Sequence, residues 1–113
     1  MNYSAITIIP THRFEKELKR LIKKFPSLKK EYAQLIKNLL KNPQIGTFIG
    51  NNCYKIRLSV AAKGKGKSGG ATVVSHLYFK TETIYLLTIY DKGEKQDLKP
   101  NELTEMILHL ELE

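Results

Sequence analysis

Cys53-Tyr54-Lys55-Ile56-Arg57-Leu58-Ser59-Val60 is followed by the loop Lys63-Gly64-Lys65-Gly66-Lys67-Ser68-Gly69-Gly70, and that by Ala71-Thr72-Val73-Val74-Ser75-His76-Leu77-Tyr78-Phe79. Strand side chains alternate between faces, so Tyr54, Ile56, Leu58 and Val60 share one face and Lys55 and Arg57 the other. Glycine makes the loop backbone permissive. The β-branched and aromatic run that follows it predicts a second strand. Five cations fall between Lys55 and Lys67, and no acid lies between Gly50 and Thr81.

Thr83-Ile84-Tyr85-Leu86-Leu87-Thr88-Ile89-Tyr90 is apolar on both faces, the pattern of a strand inside a sheet. Short connections make these three strands an antiparallel meander. Upstream, Ile6-Thr7-Ile8-Ile9 is a short strand candidate closed by Pro10. Thr11 is placed to cap a helix whose apolar face is Phe14, Leu18, Leu21, Ile22 and Phe25. Pro26-Ser27 breaks it, and Ser27 is placed to cap a second helix striped by Leu28, Tyr32, Leu35, Ile36, Leu39 and Leu40. Such a helical hairpin needs a sheet to cover. Residues 43–52 read as a connecting loop, and residues 91–100 as polar and turn-like. A last helix is expected over residues 101–112 with Asn101 as its cap. The whole reads as α+β, one domain over residues 1–113.

The chain carries a net charge of +8. Residues 1–80 hold 16 Lys or Arg against 3 Glu, and residues 81–113 hold 3 Lys against 8 acids. A polyanionic partner is the natural physical reading of that field. Cys53 is the sole cysteine, which excludes an intramolecular disulfide and a cysteine-based zinc site. No basic leader and no long apolar run is present, so a cytoplasmic protein with no membrane contact is expected.

Gly66-Lys67-Ser68 ends like a phosphate-binding P-loop, but Ala61 stands where its first glycine belongs and a strand follows instead of a helix. His12, His76 and His109 lie far apart with no carboxylate at ligand spacing, so no metal site is expected. His12 and His109 read as surface residues. His76 shares a predicted face with Thr72, Val74 and Tyr78, adjoining Lys55 and Arg57, and reads as structural before catalytic. What remains is a cationic sheet face and loop suited to a phosphodiester backbone, with Tyr54, Tyr78, Tyr85 and Tyr90 near enough to stack on bases. Such a cluster can also do chemistry. Cationic neighbours lower a lysine pKa towards a general base, and arginines stabilise a phosphorane, which permits cleavage by RNA's own 2′-hydroxyl. Binding alone and cleavage both remain open on this ground.

Tyr54-Lys55-Ile56-Arg57-Leu58, the Lys63 to Ala71 string and Tyr85-Leu86-Leu87-Thr88-Ile89-Tyr90-Asp91-Lys92 resemble the RelE/ParE superfamily of type II toxin–antitoxin toxins. The subgroup is closest to the HigB-like and RelE-like mRNA interferases. Asn42-Pro43-Gln44-Ile45-Gly46 and Gly50-Asn51-Asn52-Cys53 resemble the family's helix-to-strand connection, and the resemblance runs from about Phe14 to Leu98. It implies two N-terminal helices on a mainly antiparallel four-stranded sheet, with a short C-terminal helix. It implies a ribosome-dependent endoribonuclease that cuts mRNA in the A site without metal or cofactor, held in check by an acidic antitoxin. By position, Lys55, Arg57 and Lys92 match the catalytic and phosphate-binding cations. Lys63, Lys65 and Lys67 match the RNA- and ribosome-contacting loop, and His76 and Tyr90 join that binding set. After Gly-Gly-Ala the family has an arginine that stabilises the transition state, where this chain has Thr72. Its loss is worth roughly 3 kcal/mol of transition-state stabilisation. Leu98 falls near the family's C-terminal tyrosine. The alternatives are a ParE-like inhibitor of DNA gyrase, which the sheet cations disfavour, and a catalytically weakened RNA- or ribosome-binding relative, which Thr72 keeps open.

Overall fold

The computed structural model describes residues 6–63 and 70–110, so Lys65 and Lys67 lie outside the described residues. Thr11 begins the helical layer as expected. Its hydroxyl accepts the Phe14 N–H at 3.2 Å and donates to the Leu86 carbonyl at 3.0 Å, so the cap of α1 (His12–Lys24) is tied to the sheet. Phe14 and Leu21 of α1 are buried, as are Leu28, Leu35 and Leu39 of α2 (Leu28–Lys41).

The start of α2 differs from the expectation. Ser27 is already in helical conformation and makes no capping bond. Its hydroxyl accepts the Ala62 N–H at 2.8 Å and donates to Glu31 at 3.2 Å. Glu31 in turn takes the Ala61 N–H at 2.8 Å. The Ala62 N–H of the turn Ala61–Lys63 takes the serine hydroxyl, so this helix end holds the chain emerging from the sheet.

Both helices cover one face of a sheet ordered β1-β5-β4-β3-β2. The strands are β1 (Thr7–Pro10), β2 (Thr47–Phe48), β3 (Cys53–Leu58), β4 (Ala71–Tyr78) and β5 (Thr83–Asp91). β1 runs parallel to β5 and the remaining pairs are antiparallel. The sheet thus has five strands rather than four. The additional strand is β2, inside the segment read as a loop; two residues are too few to show an alternating pattern. Glycines bound it, with Gly46 at φ 99° and Gly50 at φ 89°, and Asn51 and Asn52 at φ 52° and 57° turn the chain into β3.

β4 is buried from Ala71 to Leu77 because both sheet faces are covered. On one face Val73, Leu77, Ile84, Leu86 and Ile89 pack against α1 and α2. On the other, Cys53, Val74, Leu87 and Tyr90 meet Met106 and Leu103 of α3 (Glu102–Leu108), together with Leu98 of the preceding loop. α3 is shorter than residues 101–112, and Asn101 gives no side-chain cap. Glu102, the first residue of α3, accepts the Lys99 N–H at 2.8 Å from the turn that precedes the helix. A bulge interrupts the β4–β5 register at Val74/Ser75. Beside it, Glu17 of α1 accepts from the Thr88 hydroxyl at 2.7 Å and the Ile89 N–H at 3.3 Å. No described helix is long and apolar enough to cross a membrane.

Candidate nucleic-acid interface

The register sets the site. Arg57 on β3 stands opposite Thr72 on β4, and Thr72 opposite Tyr90 on β5, so the three form a row across the sheet. Lys55 is paired with Val74, two residues along the same face, away from α1 and α2. The loop after β5 bends back over this row. Lys95 places its ammonium 5.5 Å from the centre of the Tyr90 ring and bonds Glu102 at 2.5 Å. Asp97 accepts from Lys55 at 2.6 Å. Lys92 donates to the Gln96 carbonyl at 2.8 Å and lies close enough to contribute to the lowered pKa of Asp97, after the hydrogen bonds from Lys55 and the Leu98 N–H.

Arg57 is exposed, and its guanidinium makes no ion pair or hydrogen bond among the described residues. Thr72 and Tyr90 are buried, and their hydroxyls face each other without a hydrogen bond of full geometry. Burial pushes the Tyr90 phenol up, against the pull of the nearby Lys55 charge. Thr72 is only 1% exposed, so it lies in the floor of the row rather than at its rim.

Two other sequence-derived site residues stand apart. His76 pairs with Cys53, with Nδ1 3.3 Å from the thiol, and is nearly buried. Burial lowers its pKa and pushes the Cys53 thiol up to about 12. That leaves a neutral imidazole against a protonated thiol, which fits a packing role and not a reactive one. Lys63 turns to the opposite side, where it forms an ion pair with the buried Asp91 and sits 5.4 Å from the Phe25 ring centre.

Lys95 and Asp97 were not singled out in the sequence. They belong to a polar turn with no periodicity, and only the bend of that turn brings them to the row. Elsewhere, a cleft of about 370 Å³ lies between the start of α1 and α3 and contains both His12 and His109. None of the row's cations lines it. Among the described residues, no group of three or more His, Cys, Asp or Glu is arranged to hold a metal ion.

No protein-family model matches the chain. Among solved structures, it is similar to a mutant of the E. coli toxin RelE in the free state, with a TM-score of 0.60 and 18% sequence identity. That likeness covers 81% of this chain and 88% of that one. It is also similar to the intact E. coli RelBE toxin–antitoxin complex, with a TM-score of 0.56 and 19% identity over 73% of this chain and 90% of that chain. Helices on one face of a five-stranded, mostly antiparallel sheet give this chain the fold of RelE.

Proposed function

We propose that this protein is the toxin of a type II toxin–antitoxin system and a ribosome-dependent endoribonuclease that cuts mRNA in the A site. The observation that carries the reading is Arg57, exposed and with no partner among the described residues, beside Lys55 on the sheet face whose floor holds Thr72 and Tyr90. The RelE fold and the sequence resemblance support it. In the reaction, Lys55 leaves its ion pair with Asp97 and gives up its own proton to solvent, and the free amine then takes the proton of the 2′-hydroxyl as its oxygen bonds to phosphorus. The bond from phosphorus to the 5′-oxygen breaks, and that oxygen takes a proton from water. Arg57 and Lys92 hold the phosphate oxygens, whose charge grows in the transition state. The products are a 2′,3′-cyclic phosphate and a free 5′-hydroxyl.

The partner is an acidic antitoxin that wraps the basic surface, with binding that weakens as salt rises. The likeness to the RelBE complex supports a protein partner of this kind. Activity in the cytoplasm, where ribosomes are, follows from the same reading.

Thr72 favours one second reading, a relative that binds the ribosome and cuts weakly or not at all. Primer extension on a defined mRNA in a purified translation system separates the two. Cuts that need ribosomes and vanish in Lys55→Ala support the nuclease. Absence of cuts at protein excess from a folded sample overturns it.

A further inference from the structure

Each acid near the basic surface has a cationic partner, but only one of them engages the row. Asp91 is held by Lys63 and Lys24, Glu94 by Arg20 and Lys24, and Glu102 by Arg13 and Lys95. Asp97 alone among the described acids bonds a cation of the row, Lys55, at 2.6 Å. The same carboxylate oxygen accepts the Leu98 N–H at 2.8 Å. Leu98 packs into the cluster formed by Tyr90, Val74 and Met106, which anchors the peptide. The Asp97 side chain itself is 64% exposed and free to rotate outward. Next to it Arg57 is open. Among the described residues, Lys55 has an acidic partner and its neighbour Arg57 has none.

We infer that the Asp97 carboxylate is an internal competitor for the phosphate seat at Lys55, occupying it in the free protein and swinging out when a phosphate group enters. The inference rests on the reading of this face as a phosphodiester seat. A carboxylate and a phosphate offer the same ligand to an ammonium: a charged oxygen at hydrogen-bond distance. Because the pair is largely solvated, Asp97 competes weakly and does not lock the site. Its effect is a several-fold tax on anion affinity, which selects for ligands that bring a second phosphate oxygen to Arg57.

The test is a titration of the full chain with inorganic phosphate at fixed ionic strength, read from the NMR shifts of the Lys55 and Leu98 amides. Asp97→Asn keeps the bond to the Leu98 amide and removes the charge. It is expected to lower the phosphate dissociation constant by about threefold to fivefold. Glu105→Gln removes one negative charge from the exposed side of α3 and controls for the general field; it is expected to change the constant by less than about twofold. Lys55→Met is expected to lose the saturable shift. Equal constants for the wild type and Asp97→Asn overturn the inference, as does equal tightening by Glu105→Gln. So does the absence of a saturable shift in every variant. No ribosome or mRNA takes part, so failure here is distinguishable from failure to find mRNA cuts.

Discussion

Lys63, which closes the turn after β3, forms an ion pair with Asp91, the last residue of β5, and shares the Phe25 ring with Lys24. The first lysine of the glycine-rich loop is thereby an anchor that fastens the loop's base to the sheet. Both partners are largely shielded, with side-chain exposures of 14% and 4%. Removing one leaves the other charged and poorly solvated. Asp91→Ala is expected to cost about 3 kcal/mol, and Lys63→Met less, because the methionine still covers Phe25. Urea unfolding of the two variants measures both.

Glu102 gives the clearest pH signature. Burial works to raise its carboxyl, but hydrogen bonds from Lys95, the Lys99 N–H and Arg13 outweigh it and lower the pKa from 4.5 to about 2. A depressed folded-state value means stability that is present above the unfolded pKa and is lost as pH falls through the folded one. The contribution is on the order of 2–3 kcal/mol, present above about pH 5 and gone near pH 2. The stability gap between wild type and Glu102→Gln is therefore expected to be widest near pH 6 and to close in acid. Chemical denaturation at pH 6, 4 and 3 follows it.

Arg57 has the opposite character. It is exposed and its side chain has no partner among the described residues, so Arg57→Ala is expected to change stability by less than about 0.5 kcal/mol. If it grips one phosphate, the same change reduces the salt slope of RNA binding by about 1. Thermal unfolding and binding isotherms at several salt concentrations test the two halves. An unchanged slope removes Arg57 from the interface.

Gly46 links backbone geometry to the site. It sits at φ 99°, and a Cβ there would lie 2.5 Å from the Lys55 carbonyl oxygen. Gly46→Ala is expected to cost at least about 2 kcal/mol through strain and collision. It also shifts the β3 backbone that carries Lys55, so amide shifts at Lys55 and Ile56 are expected to move more than those in α1.

The sequence exposed the parts of this fold that rest on strong periodicity. The stripes of α1 and α2, the alternation in β3 and the two-sided apolarity of β5 all predicted elements that formed. The Thr11 cap was equally legible, because a threonine before an apolar-periodic run has one obvious use. β2 was not, since a two-residue strand is defined by its partner rather than by its own residues. Ser27 misled for a related reason: the donor that occupies it, the Ala62 N–H, comes from a turn 35 residues away in the chain. At the candidate site, the strand positions of Lys55 and Arg57 followed from alternation alone. Lys95 and Asp97 depended on how one irregular turn folds back, which local pattern does not encode.

The position of β5 between β1 and β4 has a consequence for how the chain is made. Thr7 pairs with Thr83 and Ile8 with Ile84, so this early strand finds its neighbour only once the chain has been made through residue 84. Until then the segment through residue 80 holds 16 Lys or Arg against 3 Glu, and the acids follow in residues 81–113. Before β5 is made the chain is an unfinished polycation, and residues 81–113 bring the sheet's closing strand and most of its counter-charge together.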